Sequence, residues 1–152
     1  MRLHELYPAL ATFVNEAQAE VHTIPAERRV DLERLARFVR ERLGAGEIAR
    51  LVFICTHNSR RSHLAQVWAQ TAAHVHGVRR VETFSGGTEA TAFDRRAVAA
   101  LERAGFRVDA RGRGDNPRYV VRFSDQAEPM ECFSKVHDQP PNPTRDFCAV
   151  MT

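Results

Sequence analysis

An α/β fold organised around an open, mainly parallel sheet is what this sequence predicts, and three features predict it. The apolar run Ala49–Ile54 is rich in strand formers and stops at a polar segment, Cys55-Thr56-His57-Asn58-Ser59-Arg60-Arg61-Ser62. Leu64, Val67, Trp68, Ala72 and Val75 then recur at helical spacing and end near Gly77. A second strand-like run, Val81–Phe84, is again followed by a helical pattern, carried by Ala97, Val98 and Leu101. Parallel neighbours need a crossover connection, nearly always right-handed, and the alternation of strand and helix supplies it.

The other elements fall around this unit. Leu6–Val21 has a weak helical pattern and Pro25–Leu43 a strong one, with Leu32, Leu35, Ala36, Val39 and Leu43 on one face. Pro25 suits a first helical turn, and Gly44 and Gly46 suit a stop. Residues 1–47 are therefore expected to form a helical N-terminal extension, and residues 48–152 a single α/β domain. Asp94 can cap the helix of Ala97, and Gly105 can end it. Tyr119–Phe123 and Met130–Val136 flank the turn-rich Ser124–Pro129 and read as the arms of an inserted β-hairpin. Pro140-Pro141-Asn142-Pro143 reads as a linker before a last apolar run, Phe147–Met151.

A chain of 152 residues with 43% hydrophobic and 27% charged residues can bury a core, which excludes a disordered or fibrous protein. No apolar run approaches the roughly 18 residues of a membrane span. Met1-Arg2-Leu3-His4-Glu5 turns polar at once, unlike a secretory signal, so a cytoplasmic location is expected. The net charge of +3 is spread along the chain. It suits small anionic substrates and singles out neither nucleic acid nor membrane as a partner. Cys55, Cys132 and Cys148 lack metal-ligand spacing and read as reduced thiols. His74 and His76 do not form a ligand pair, so no metal is expected, and Trp68 belongs to a packed helical stripe.

The polar segment after the first strand carries the chemistry. A cysteine is a nucleophile only as thiolate, and an ordinary thiol, with a pKa of about 8.5, needs a local field to ionise at neutral pH. Between a strand end at Cys55 and a helix start at Ser62, the intervening N–H groups can curl inward as an anion-binding nest. Thr56, His57, Asn58, Ser59 and Arg60 would contribute to that oxyanion cradle. Arg61 can close it with the paired donors of its guanidinium, and Ser62 can hydrogen-bond the Cys55 sulfur. Asn58 sits where the loop calls for a left-handed residue, which asparagine tolerates. Arg60 reads as a solvated or steering charge.

Cys55, Asn58, Arg61 and Ser62 resemble, residue by residue, the phosphate loop of the low-molecular-weight tyrosine phosphatases. Ser85-Gly86-Gly87-Thr88 resembles the loop which that family places after its second strand. The resemblance runs from about Ala49 to Thr152 and implies a three-layer phosphatase I-like fold. It further implies that the Cys55 thiolate attacks phosphorus, that Arg61 binds the phosphoryl oxygens, and that Ser62 assists the leaving thiolate. Ser85 would help to fix Asn58. The stretches Ser85–Phe93 and Phe147–Thr152 look like a longer bacterial branch labelled arsenate reductase, which implies arsenate as an alternative substrate and thioredoxin or another thiol as reductant. A phosphotyrosine protein is the partner that the phosphatase branch implies.

The family's Asp-Pro general acid and the resolving cysteines of thioredoxin-coupled reductases would both fall beyond Thr152. The expectation is thus a C-terminally incomplete domain that lacks both devices. Glu128 and Asp138 are read as turn and linker residues, and Cys132 and Cys148 as packed thiols. The leading function is a cysteine-dependent phosphatase or arsenate reductase. The alternative is an oxyanion-binding or regulatory module with little turnover.

Overall fold

A computed structural model describes residues 1–152. Two three-stranded sheets and four α-helices make up the protein. The first sheet has the order β2-β1-β6, all parallel, from β1 (Ala49–Cys55), β2 (Val81–Gly87) and β6 (Phe147–Met151). Strand β1 lies between its neighbours, and all of its residues but Arg50 are buried, as expected for a parallel strand covered on both faces. Helix α3 (Arg61–Val75) returns the chain from β1 to β2 and packs on both strands. The α/β class with a parallel sheet is as the sequence predicts.

The inserted element is larger than the expected hairpin. Its strands β4 (Arg118–Arg122) and β5 (Met130–Cys132) pair antiparallel, and β3 (Arg107–Arg111) joins the far side of β4. The second arm stops at Cys132 instead of reaching Val136, because Asn116 takes over the backbone there. Its amide donates to the Ser134 carbonyl at 2.8 Å, and its carbonyl oxygen accepts from the Ser134 N–H at 3.1 Å. Residues 133–136 thereby leave the sheet and run toward the loop that follows β1.

The main core fills the space between this antiparallel sheet, α3 and α4 (Arg95–Ala104), with Phe93, Leu101, Val121 and Cys132 all at most 2% exposed. Asp94 caps α4 by accepting from the Arg96 N–H at 2.8 Å, and Gly105 ends it at φ 105°. A side chain at Gly105 would meet the Leu10 nitrogen at 2.3 Å, so glycine lets α1 (Pro8–Ala19) approach. Leu10 is fully buried, Tyr7 donates its N–H to Phe123 O at 3.1 Å and its hydroxyl to Asp125 at 2.7 Å, and the Arg107 guanidinium lies 3.8 Å from the Tyr7 ring centroid. The start of the chain is part of the same core. Helix α2 (Ala26–Gly44) buries none of its residues, and Leu32 on its predicted apolar stripe is 45% exposed.

The free edge of β2 is occupied by side chains. Gln70, Gln66 and Asn142 donate their amides to the carbonyls of Val81, Thr83 and Ser85 at 3.3, 3.0 and 2.9 Å. Asn142, predicted to lie in a linker, is 6% exposed and also donates to His137 O. At the end of the strand the backbone takes over, and Gly87 forms a parallel bridge with Val136. A Cβ at Gly86 would lie 2.3 Å from the His137 Cα, so the close approach of this segment requires glycine.

Deleting the Leu10 side chain should cost about 2–5 kcal/mol, as for other fully buried leucines, with loss of one cooperative unfolding transition's stability in urea. Leu32→Ala should cost no more than about 0.5 kcal/mol, the usual scale for surface positions. Equal effects of the two substitutions would show that α1 does not share the core.

Candidate active site

Strand β1 delivers Cys55 to the mouth of a loop that is held from three sides. From the end of β2, the N–H groups of Thr88 and Glu89 donate to the carbonyls of Cys55 and Thr56 at 3.1 and 3.0 Å. From the start of α4, the Asp94 N–H donates to Ser59 O at 2.9 Å. From the segment after β5, the Ser134 hydroxyl donates to His57 O at 2.9 Å, and the Thr91 hydroxyl reaches the same carbonyl at 3.1 Å. Gly87 is needed beneath this turn, since a Cβ there would lie 2.6 Å from Thr56 O and 2.7 Å from Asn58 N.

Asn58 is completely buried at φ 44°, the left-handed conformation that the sequence predicts. Its carbonyl oxygen accepts from the Lys135 N–H at 3.0 Å, and its amide donates to Ser62 Oγ at 2.8 Å. Because the Ser62 oxygen is accepting from Asn58, its own proton is available to the Cys55 sulfur 3.1 Å away. Burial pushes the Cys55 thiol up, but the Ser62 hydroxyl and the amides of Ser62, Ser59 and Asn58 outweigh it and hold the pKa below the ordinary thiol value. No side chain caps the start of α3, which leaves its first amides to the loop.

The loop opens into a pocket of about 300 Å³ lined by Cys55, His57, Ser59, Arg60, Arg61, Thr91 and Asp94. The two arginines differ. Arg60 Nε approaches Asp94 at 4.0 Å, whereas Arg61 has no carboxylate partner and is exposed beside the sulfur. The Asp94 carboxyl is held below the usual range, first by its hydrogen bonds from the Arg96 side chain and N–H. Thr56 is exposed, and His57 pairs through Nε2 with Glu89 at 2.8 Å. Ser85 is fully buried behind the loop, but its hydroxyl takes His63 Nδ1 at 3.1 Å while Asn58 is held by Ser62 and Lys135.

Several of these residues carry no signal in the sequence. Glu89, Thr91, Ser134 and Lys135 reach the loop across 32 to 77 residues of chain, and nothing local marks them. Nothing in the local sequence marks His63 either. It is fully buried, stacks on Phe93 with ring centroids 4.1 Å apart, and is pushed down to about 3 by burial and then by the Lys135 charge. Cys132 is pushed up to about 12 by burial, and Cys148 is raised by the same cause.

Two outcomes are expected. Iodoacetamide at pH 6 should label Cys55 ahead of Cys132 and Cys148, inorganic phosphate should protect it, and Ser62→Ala should slow it; equal labelling of the three would contradict the geometry. His63 has a folded pKa near 3 against 6.5 for the free side chain, so the unfolded chain takes up its proton first. Its contribution to stability is complete above about pH 6.5 and is lost as pH falls toward 3. Urea midpoints between pH 6.5 and 4 should therefore fall less steeply in His63→Gln than in the parent.

The family model described as low molecular weight phosphotyrosine protein phosphatase matches residues 50–120. No curated protein and no solved structure matches the chain. The matched stretch holds the whole loop from Cys55 to Ser62, the helix α3 behind it, and the β2 end and α4 start that grip it. The loop geometry and this match make residues 50–120 similar to the low molecular weight phosphotyrosine protein phosphatase family.

Proposed function

We propose that the protein is a cysteine-dependent phosphatase in which the Cys55 thiolate attacks a phosphate monoester seated in the 55–62 loop. The observation that carries this reading is the environment of the sulfur, which receives the Ser62 hydroxyl at 3.1 Å and the amides of Asn58, Ser59 and Ser62. Donors that stabilise a thiolate before substrate arrives also suit the oxygens of a tetrahedral anion, and they are fixed in place before the reaction. Arg61 would bind two phosphoryl oxygens through its planar fork, and the amides of Thr56, His57, Asn58, Ser59 and Arg60 would share the rest. Ser62 would return a hydrogen bond to the thiolate when the phosphoenzyme is hydrolysed. Ser85 would act indirectly, by holding His63 beneath the loop.

Arsenate has the shape and charge of phosphate and would occupy the same nest. Cys132 is fully buried, with its thiol pushed up to about 12. Reduction of arsenate would therefore draw on an external thiol donor of the thioredoxin kind.

The test is turnover of p-nitrophenyl phosphate. The parent chain should hydrolyse it with a burst of p-nitrophenol matching one site per chain, and Cys55→Ser should reduce the rate to background. Arg61→Lys keeps the charge but loses the paired donors, so inorganic phosphate should bind about 10- to 100-fold more weakly, on the scale of one charge-assisted hydrogen bond. Arg60→Lys should change binding far less. Phosphate binding without any burst would instead favour an oxyanion-binding module.

A further inference from the structure

We propose that His63 is a positioning residue for the Cys55 site: its ring fastens the head of α3 to β2 and to the start of α4, and so sets where Ser62 stands relative to the sulfur. The inference rests on the cysteine-phosphatase reading above and gives a role to a buried polar side chain outside the loop motif.

The first turn of α3 is held at two consecutive residues. Ser62 serves the loop, with its Oγ 3.1 Å from the Cys55 sulfur and 2.8 Å from the Asn58 amide nitrogen. His63 reaches the sheet instead, with Nδ1 3.1 Å from the Ser85 hydroxyl, and Ser85 pairs across the sheet with Phe53, two residues before the nucleophile. The same ring stacks on Phe93 with centroids 4.1 Å apart, and the next residue, Asp94, gives its N–H to Ser59 O at 2.9 Å. One side chain thus joins the head of α3 to two of the elements that grip the loop. Any shift of the ring carries Ser62 with it, because the two residues share a peptide bond.

Histidine is a costly choice for this place. The ring is fully buried and its Nε2 has no hydrogen-bond partner, and an unsatisfied buried polar atom works against folding. Phenylalanine would occupy a similar space and keep the stack without that cost. What histidine adds is the bond to Ser85. The family resemblance assigns that hydroxyl to Asn58, whereas here Asn58 is held by Ser62 and Lys135 and the hydroxyl is left for His63. Burial, and then the Lys135 charge, keep the ring neutral, so the bond is present throughout the neutral pH range.

The experiment follows iodoacetamide labelling of Cys55 against pH and the turnover of p-nitrophenyl phosphate in the full chain, with urea unfolding alongside. His63→Phe keeps the stack and loses the bond, and Ser85→Ala loses the bond from the other side. Each should raise the pH midpoint of Cys55 labelling by about one pH unit, or about tenfold slower labelling at pH 6, the scale of one weakened hydrogen bond to the thiolate. His57, Arg60, Arg61 and Asp94, the other titratable and charged groups lining the pocket, are the same in every variant. His63→Asn, whose side-chain amide stands where Nδ1 stood, should recover most of the shift, and kcat should follow the same order. A side chain that only filled the core would lower the urea midpoint and leave the labelling midpoint of the folded protein in place. Parent-like labelling in both His63→Phe and Ser85→Ala, or no recovery in His63→Asn, would overturn the assignment. Labelling reads the sulfur without turnover, so a parent chain that gives no burst overturns the phosphatase reading while the labelling midpoints still decide the role of His63.

Discussion

Asn58 is the residue on which the rest of the site depends. Its left-handed backbone turns the loop amides inward, and its side chain ties two otherwise separate parts of the chain together. One end orders the Ser62 hydroxyl at the head of α3, and the other holds the Lys135 N–H in the segment after β5. The direction of the first bond matters most. Because Asn58 donates to the Ser62 oxygen, the serine is obliged to point its own proton at the sulfur, and the thiolate gains a donor in a place where burial alone would favour the neutral thiol. Polar groups buried this deeply are costly unless each is satisfied, and here each partner satisfies the next.

The second consequence of that arrangement is architectural. The loop is gripped by backbone from the β2 end, by the α4 start and by the strip 133–136, so its shape is set by elements from most of the chain and not by its own eight residues. The antiparallel sheet serves the site through its exit. Asn116 closes β5 early and releases Ser134 and Lys135 to face the loop. A two-residue change in where that strand ended would remove both contacts.

How much of this was legible in the sequence follows from how local each signal is. The loop could be read because its cysteine, asparagine, arginine and serine fall within one short segment between a strand pattern and a helix pattern. Helix α4 could be read because Asp94 and Gly105 act on their immediate neighbours. Strand β3 could not, since Arg107, Asp109 and Arg111 are exposed and charged and only Val108 is part-buried, a pattern that resembles a surface turn. The Ser85–His63 bond spans 22 residues, and the contacts of Ser134 and Lys135 span 77. Pairings at such distances leave no spacing to recognise. Gly86 and Gly87 were visible as part of a loop, but the reason for them, the approach of other backbone within 3 Å, exists only in the folded chain.

The amides of Gln66, Gln70 and Asn142 along the edge of β2 bear on how this protein meets others. A bare sheet edge is a template for any extended chain, and it recruits by offering unpaired carbonyls. Here the carbonyls of Val81, Thr83 and Ser85 are already engaged by side chains of the same molecule, and that of Gly87 by the His137 N–H. The parallel sheet is thereby closed along its β2 edge, and a new strand would have to add beyond β6.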